Sequence, residues 1–154
     1  MSTDMTWQIN STSSEQTEAL GHKIGSRLRG GEVFELRSDL GGGKTTFVRG
    51  LASGAGSQDA AGSPSFTVSR LYKTDTLDIH HYDFYRLPEA GLMLDEISEV
   101  MADQQAVVLI EWAGAVENVL PDERVIMQIQ ATGENDRLLT IDLPDKYSYL
   151  RSEA

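Results

Sequence analysis

The most chemically suggestive stretch is residues 39–46, DLGGGKTT, which follows Ser38. Asp39 and Leu40 lead into three consecutive glycines, Gly41, Gly42 and Gly43. Such glycines let the backbone curl successive N–H groups inward, where they hold phosphate oxygens. Lys44 then stands where an ammonium reaches the β- and γ-phosphates of a nucleotide. Thr45 stands where a hydroxyl ligates Mg²⁺, with Thr46 beside it. A helix starting at Lys44 would add its positive N-terminal end. The strict phosphate-loop pattern asks for Gly where Ser38 stands, so the match is incomplete. A Gly-rich turn before a helix is the plain alternative. The setting argues against it, because the apolar strand EVFEL precedes the loop and an amphipathic segment follows.

Nucleotide chemistry with Mg²⁺ also needs carboxylates to manage the metal and orient the attacking water. Two acids stand at the ends of expected strands. Glu111 directly follows AVVLI, and Asp83 follows LDIHHY. A buried strand delivers its last side chain to the mouth of a sheet, where α/β proteins bind ligands. His80 and His81 are adjacent in a strand and therefore point to opposite faces, so they do not jointly grip one ion. One is expected to face the site and the other to pack or meet solvent. Trp112 either covers the nucleotide or fills the core. Ser63, Pro64, Ser65, Phe66 and Thr67 form either a segment that senses the terminal phosphate or a proline turn feeding a strand.

The elements that must position these residues follow from periodicity and turn chemistry. Residues 7–9 suit a short strand. Residues 13–28 suit a helix, with Ser13 and Gln16 as a capping box and Leu20, Ile24 and Leu28 on one face. Gly30 and Gly31 break it before a strand at 32–36. The helix from Lys44 to about residue 53 buries Phe47, Val48 and Leu51. Residues 52–65 are small and polar and read as a loop. Strands at 67–72 and 76–82 form a hairpin through Thr74 and Asp75. A helix through Leu92, Ile97 and Met101 leads to the continuous apolar run 106–110, which suits a strand buried on both faces. Residues 124–131 and 137–143 alternate around 132–136 as a second hairpin. The last ten residues are expected at the periphery. Together these elements predict one α/β nucleotide-binding domain of the phosphate-loop type, with a mixed central sheet flanked by helices.

Composition bounds the function. The chain has 154 residues, 40% hydrophobic, with no cysteine. Disulfide scaffolds, thiolate-held zinc and cysteine nucleophiles are therefore excluded. No run approaches the roughly 20 apolar residues of a membrane span, and the first ten residues lack the features of a secretory signal. A cytoplasmic protein is expected. The net charge is −11 and lies entirely in residues 78–154, with 16 acidic and 5 basic side chains; residues 1–77 carry 8 of each. Direct nucleic-acid binding normally draws on a basic surface, which is lacking. The acidic half either faces a basic partner or is a solvated surface.

In order and spacing, SDLGGGKTTF, SPSFTV, HYDFYRL at 81–87 and LIEW at 109–112 resemble the TsaE family. SSEQTEALG at 13–21 and LPDERV at 120–125 fit it as well, so the similarity runs over roughly residues 13–130. The resemblance implies a small bacterial ATPase that works with the proteins TsaD and TsaB. Together these install threonylcarbamoyl on an adenosine beside the tRNA anticodon, with tRNA met only through the complex. It implies ATP and Mg²⁺ as cofactors, Lys44 on phosphate, Thr45 on Mg²⁺, and Asp83 and Glu111 on the metal or the hydrolytic water. Trp112 would line the site, and Thr17 would approach the nucleotide from the first helix. Ser38 stands for a customary Gly and Ser65 for a customary Thr. A small-molecule kinase, for which only Arg70 and Arg86 stand near the motifs and no lid-sized insertion is evident, and a nucleotide-gated scaffold without turnover remain as alternatives.

Overall fold

The computed structural model describes residues 5–38, 43–58, 69–83, 91–111 and 119–151. Seven strands form one sheet in the order β1-β7-β6-β2-β5-β4-β3. They are β1 Met5–Ser11, β2 Val33–Ser38, β3 Ser69–Lys73, β4 Asp78–Asp83, β5 Ala106–Glu111, β6 Val125–Ala131 and β7 Arg137–Leu143. The helices are α1 Ser14–Gly25, α2 Lys44–Gly54 and α3 Gly91–Ala102. Central β2 runs parallel to both β5 and β6, and β4 runs parallel to β5. β1, β7 and β6 form an antiparallel flank, and β3 closes the other side antiparallel to β4. The expected mixed sheet is therefore present, as are both hairpins, with bounds shifted by no more than two residues.

Period-two alternation divides the apolar side chains between the two faces of the sheet. Phe34, Leu36, Ile79, Val107, Leu109, Met127 and Ile129 join Ile24 of α1 and Phe47, Val48 and Leu51 of α2 in the larger core. Val33, Tyr82, Val108 and Ile110 point the other way and pack with Ile97 of α3 and Leu120. All six residues of β5 are buried, as its unbroken apolar run requires.

The expected first helix ends early, at Gly25, and only its start carries the cap. Gln16 N–H donates to Ser13 Oγ at 3.2 Å, and the Gln16 carboxamide oxygen accepts from Thr12 N–H at 2.8 Å. α1 and α2 approach through glycines on both sides. A Cβ on Gly21 would lie 2.4 Å from the Phe47 carbonyl oxygen, and one on Gly25 would lie 2.0 Å from that of Leu51. In return, a Cβ on Gly50 would lie 2.0 Å from the Glu18 oxygen and one on Gly54 2.1 Å from the His22 oxygen. No side chain fits between these backbones. The two helices therefore pack as one slab against the sheet.

Two expectations change. Residues 52–54, assigned to a loop, complete α2; residues 59–65 of that loop lie outside the described residues. The carboxy-terminal segment is not peripheral where it is described. Asp145–Leu150 forms a 3-10 turn whose Tyr147 and Leu150 join the larger core. Tyr147 Oη donates to the Gly31 carbonyl at 3.3 Å. Tyr149 Oη bonds the buried Glu32 carboxylate, which also accepts from Arg29 N–H at 2.7 Å and Gly30 N–H at 2.8 Å. No helix among the described residues is long and apolar enough to cross a membrane.

Candidate functional site

The carboxyl ends of β2, β5 and β4 meet at one edge of the sheet, because Leu36 pairs with Glu111 and Glu111 with Asp83. The start of α2 lies at the same edge. Its N-cap, Gly43, has φ of 103° and supplies no side chain to bond the first N–H groups of the helix. That positive φ costs a residue with a Cβ, and glycine avoids the cost.

Lys44 is the first residue of α2 and is buried. Its Nζ lies 2.9 Å from Glu111 Oε1, with both side chains under one-tenth exposed. The other carboxylate oxygen, Oε2, lies 2.5 Å from His81 Nε2. Glu111 thus spends one oxygen on Lys44 and one on a buried imidazole. Burial alone would raise its pKa; the His81 and Lys44 hydrogen bonds and charges outweigh burial and hold the carboxyl below its usual range. The hydrogen bond to a carboxylate requires a proton on His81 Nε2. Tyr72 packs on the His81 ring, with centroids 6.4 Å apart and planes 27° apart.

The two histidines separate as strand geometry requires. His81 shares the face of Ile79, while His80 lies on the opposite face and stacks on Tyr82 at 6.4 Å. Asp83, at the end of β4, sits in register with Glu111. The Thr45 hydroxyl and the Asp83 and Glu111 carboxylates are hard oxygen donors, a set that suits Mg²⁺.

Beside the start of α2 lies a cleft of about 190 Å³. Ser13, Ser14 and Thr17 form its α1 wall, Gly43 and Thr46 its floor, and Asn135 and Arg137 its far side. Thr17 is buried and held by Ser11, with the two hydroxyl oxygens 2.7 Å apart. Arg137 is pinned by its own turn, donating from Nη1 to the carbonyls of Asp136 at 2.9 Å and Gly133 at 3.3 Å. Of the residues expected from the sequence, Thr17, Gly43 and Thr46 line the cleft, while Lys44 and Glu111 pair at the strand mouth with Asp83 in register; Lys44 and Thr45 stand on the first turn of α2, next to Gly43. Asp39, Leu40, Gly41, Gly42, Ser65 and Trp112, with Arg86, lie outside the described residues.

Residues 11–139 match the model of a family described as threonylcarbamoyl adenosine biosynthesis protein TsaE. The chain belongs to the TsaE family. It is 35% identical over 144 residues to the tRNA threonylcarbamoyladenosine biosynthesis protein TsaE of Bacillus subtilis, covering 90% of this chain and 87% of that protein. It is also 35% identical to the protein of the same name from Aquifex aeolicus, covering 84% and 90%. The crystal structure of Bacillus subtilis YdiB superposes with a TM-score of 0.75 at 29% identity, covering 97% of this chain and 93% of that one. The TsaE match and this superposition agree with the α/β, phosphate-loop type of fold expected from the loop and its flanking elements.

Sequence reading missed Ser13, Ser14, Asn135 and Arg137 as cleft residues. Ser13 was legible as a cap, and a cap at a sheet edge is also a pocket wall. Arg137 carried no signal, because it meets Gly43 only after β7 has paired with both β1 and β6.

Proposed function

We propose that this TsaE-family chain binds ATP with Mg²⁺ at this edge and hydrolyses it slowly, as the nucleotide-controlled component of tRNA threonylcarbamoyladenosine biosynthesis. It acts in the cytoplasm with TsaD and TsaB, meeting tRNA only through them. The observation that carries the reading is the 2.9 Å pair between Lys44 and Glu111, which joins the phosphate-loop helix to the acid at the mouth of the parallel strands. A lysine that follows a glycine loop and is drawn to that position is placed to serve a triphosphate.

Lys44 passes from Glu111 to phosphate oxygens as nucleotide enters, and the backbone N–H groups at the start of α2 add their positive end. Thr45 and Asp83 would hold Mg²⁺. Glu111, released from Lys44, orients the water. Bound Mg²⁺ would neutralise charge on the terminal phosphates. The nucleoside occupies the cleft between Thr17 and Arg137. The acidic surface suits this role, since the tRNA is held by other proteins.

The test is ATP turnover by the purified chain alone and with purified TsaD and TsaB. Slow Mg²⁺-dependent phosphate release that rises with the partners supports the reading. Transfer of phosphate to a metabolite would make the protein a kinase. Tight ATP binding with no turnover in either setting would make it a scaffold.

A further inference from the structure

Once nucleotide enters, Glu111 has a task but loses a partner. Lys44 holds Oε1, and nucleotide draws Lys44 away. A carboxylate whose side chain is 4% exposed would then stand without a partner on that side, free to change rotamer. Among the described residues, the remaining restraint is His81. Its imidazole is 1% exposed, reaches Oε2 at 2.5 Å and is backed by the Tyr72 ring. In register, His81 lies beside Leu109, one pleat short of Glu111, so its ring supports the carboxylate from below rather than facing the mouth.

The other nitrogen of that ring marks His81 as more than filler. Nδ1 is buried and has no hydrogen-bond partner among the described residues. Burying an unpaired polar atom costs free energy, and a phenyl ring would fill the space without that cost. The bond from Nε2 to Glu111 is what the imidazole adds.

We propose that His81 is a positioning residue for Glu111, fixing Oε2 so that Oε1 keeps its aim at the metal and water side after phosphate has taken Lys44. His81 itself touches neither nucleotide nor metal. The inference rests on the ATPase reading and assigns one further side chain to it.

The test compares H81F, which keeps the ring and removes the donor, with H81Q, whose amide nitrogen falls near the place of Nε2. ADP affinity is measured with and without Mg²⁺ by calorimetry, beside kcat, KM and melting temperature. H81F should lower kcat and the Mg²⁺-dependent gain in affinity by about 10- to 100-fold, the usual effect of losing a residue that orients a ligand. KM for ATP and metal-free ADP affinity should stay near wild type, and H81Q should recover most of the loss. In an E111Q background, where the carboxylate is already gone, H81F should have little further effect. If H81F does not fold, H81N takes its place, since its shorter amide falls short of Glu111. Wild-type turnover and Mg²⁺ response in H81F (or H81N) overturn the inference. So does an equal loss in H81F and H81Q that tracks melting temperature, or an undiminished effect in the E111Q background. A wild-type chain that binds no Mg²⁺–nucleotide overturns the ATPase reading as well, which separates the two failures.

Discussion

At the scale of single residues, the site is a chain of buried contacts running from Lys44 through Glu111 to His81. K44A and E111A should each lower ATP hydrolysis by about 100-fold or more, since each removes charge stabilisation or water orientation. They should differ in binding: K44A loses a phosphate contact and weakens nucleotide affinity, whereas E111A relieves Lys44 of a competitor and leaves metal-free nucleotide binding intact or tighter. Phosphate release and titration calorimetry on the two variants check both statements, and full turnover in either would remove the assignment. Lys44, Glu111 and Asp83 were legible because a glycine loop and strand-end acids have a local pattern. The choice of His81 over His80 was not: alternation says they oppose each other, but which faces the site depends on Ile79 joining the larger core.

At the scale of elements, the α1–α2 contact leaves no room for a side chain. Gly50→Ala places a methyl carbon 2.0 Å from the Glu18 carbonyl oxygen, a backbone atom that moves only if the helices part. We expect a loss of about 1–3 kcal/mol, typical of overpacking, read as a lower urea midpoint. Nucleotide affinity should fall with it, because parting the helices moves Thr17 away from Gly43 and Thr46. Gly56→Ala, with nothing near its added Cβ but φ of 98°, controls for backbone strain without helix separation. Helices and strands were legible from periodicity, since each buries one face and the apolar spacing shows which. The pairing of β1 with β7 was not, because it joins residues from opposite ends of the chain, Met5 with Leu143 and Ser11 with Arg137. The segment Asp145–Leu150 misled for a different reason. A short, polar stretch with two tyrosines has no period to read, and its burial depends on Gly31 and Glu32 being there to receive the hydroxyls.

At the scale of the whole molecule, stability should fall in strong alkali. Tyr82 lies in the smaller core, where burial, with Glu96 nearby, pushes its phenol up to about 12. Tyr147 and Tyr149 shift in the same direction, chiefly through burial. The unfolded chain releases a tyrosine proton near pH 10 while the folded chain keeps it, so the unfolded state binds fewer protons and stability drops as pH rises. The contribution is whole below about pH 10 and is lost as pH climbs towards 12. Y82F should show a shallower decline over that window, measured as denaturant midpoint against pH. An unchanged slope would place the loss elsewhere.

The strand order also bears on when the site comes into being. Central β2 takes both neighbours from much later in the chain, β5 and β6, and parallel partners cannot be joined by a tight turn. Closing such long loops precedes any reward in contacts, which makes folding slow for the chain's size. During synthesis the glycine loop and Lys44 emerge early, but Glu111 and then Arg137 arrive only after most of the chain has been made. On the proposed function, a nascent chain that stops short of β5 would carry the glycine loop and Lys44 without the strand-end acid or the far wall of the cleft, and capacity to bind would be gained late.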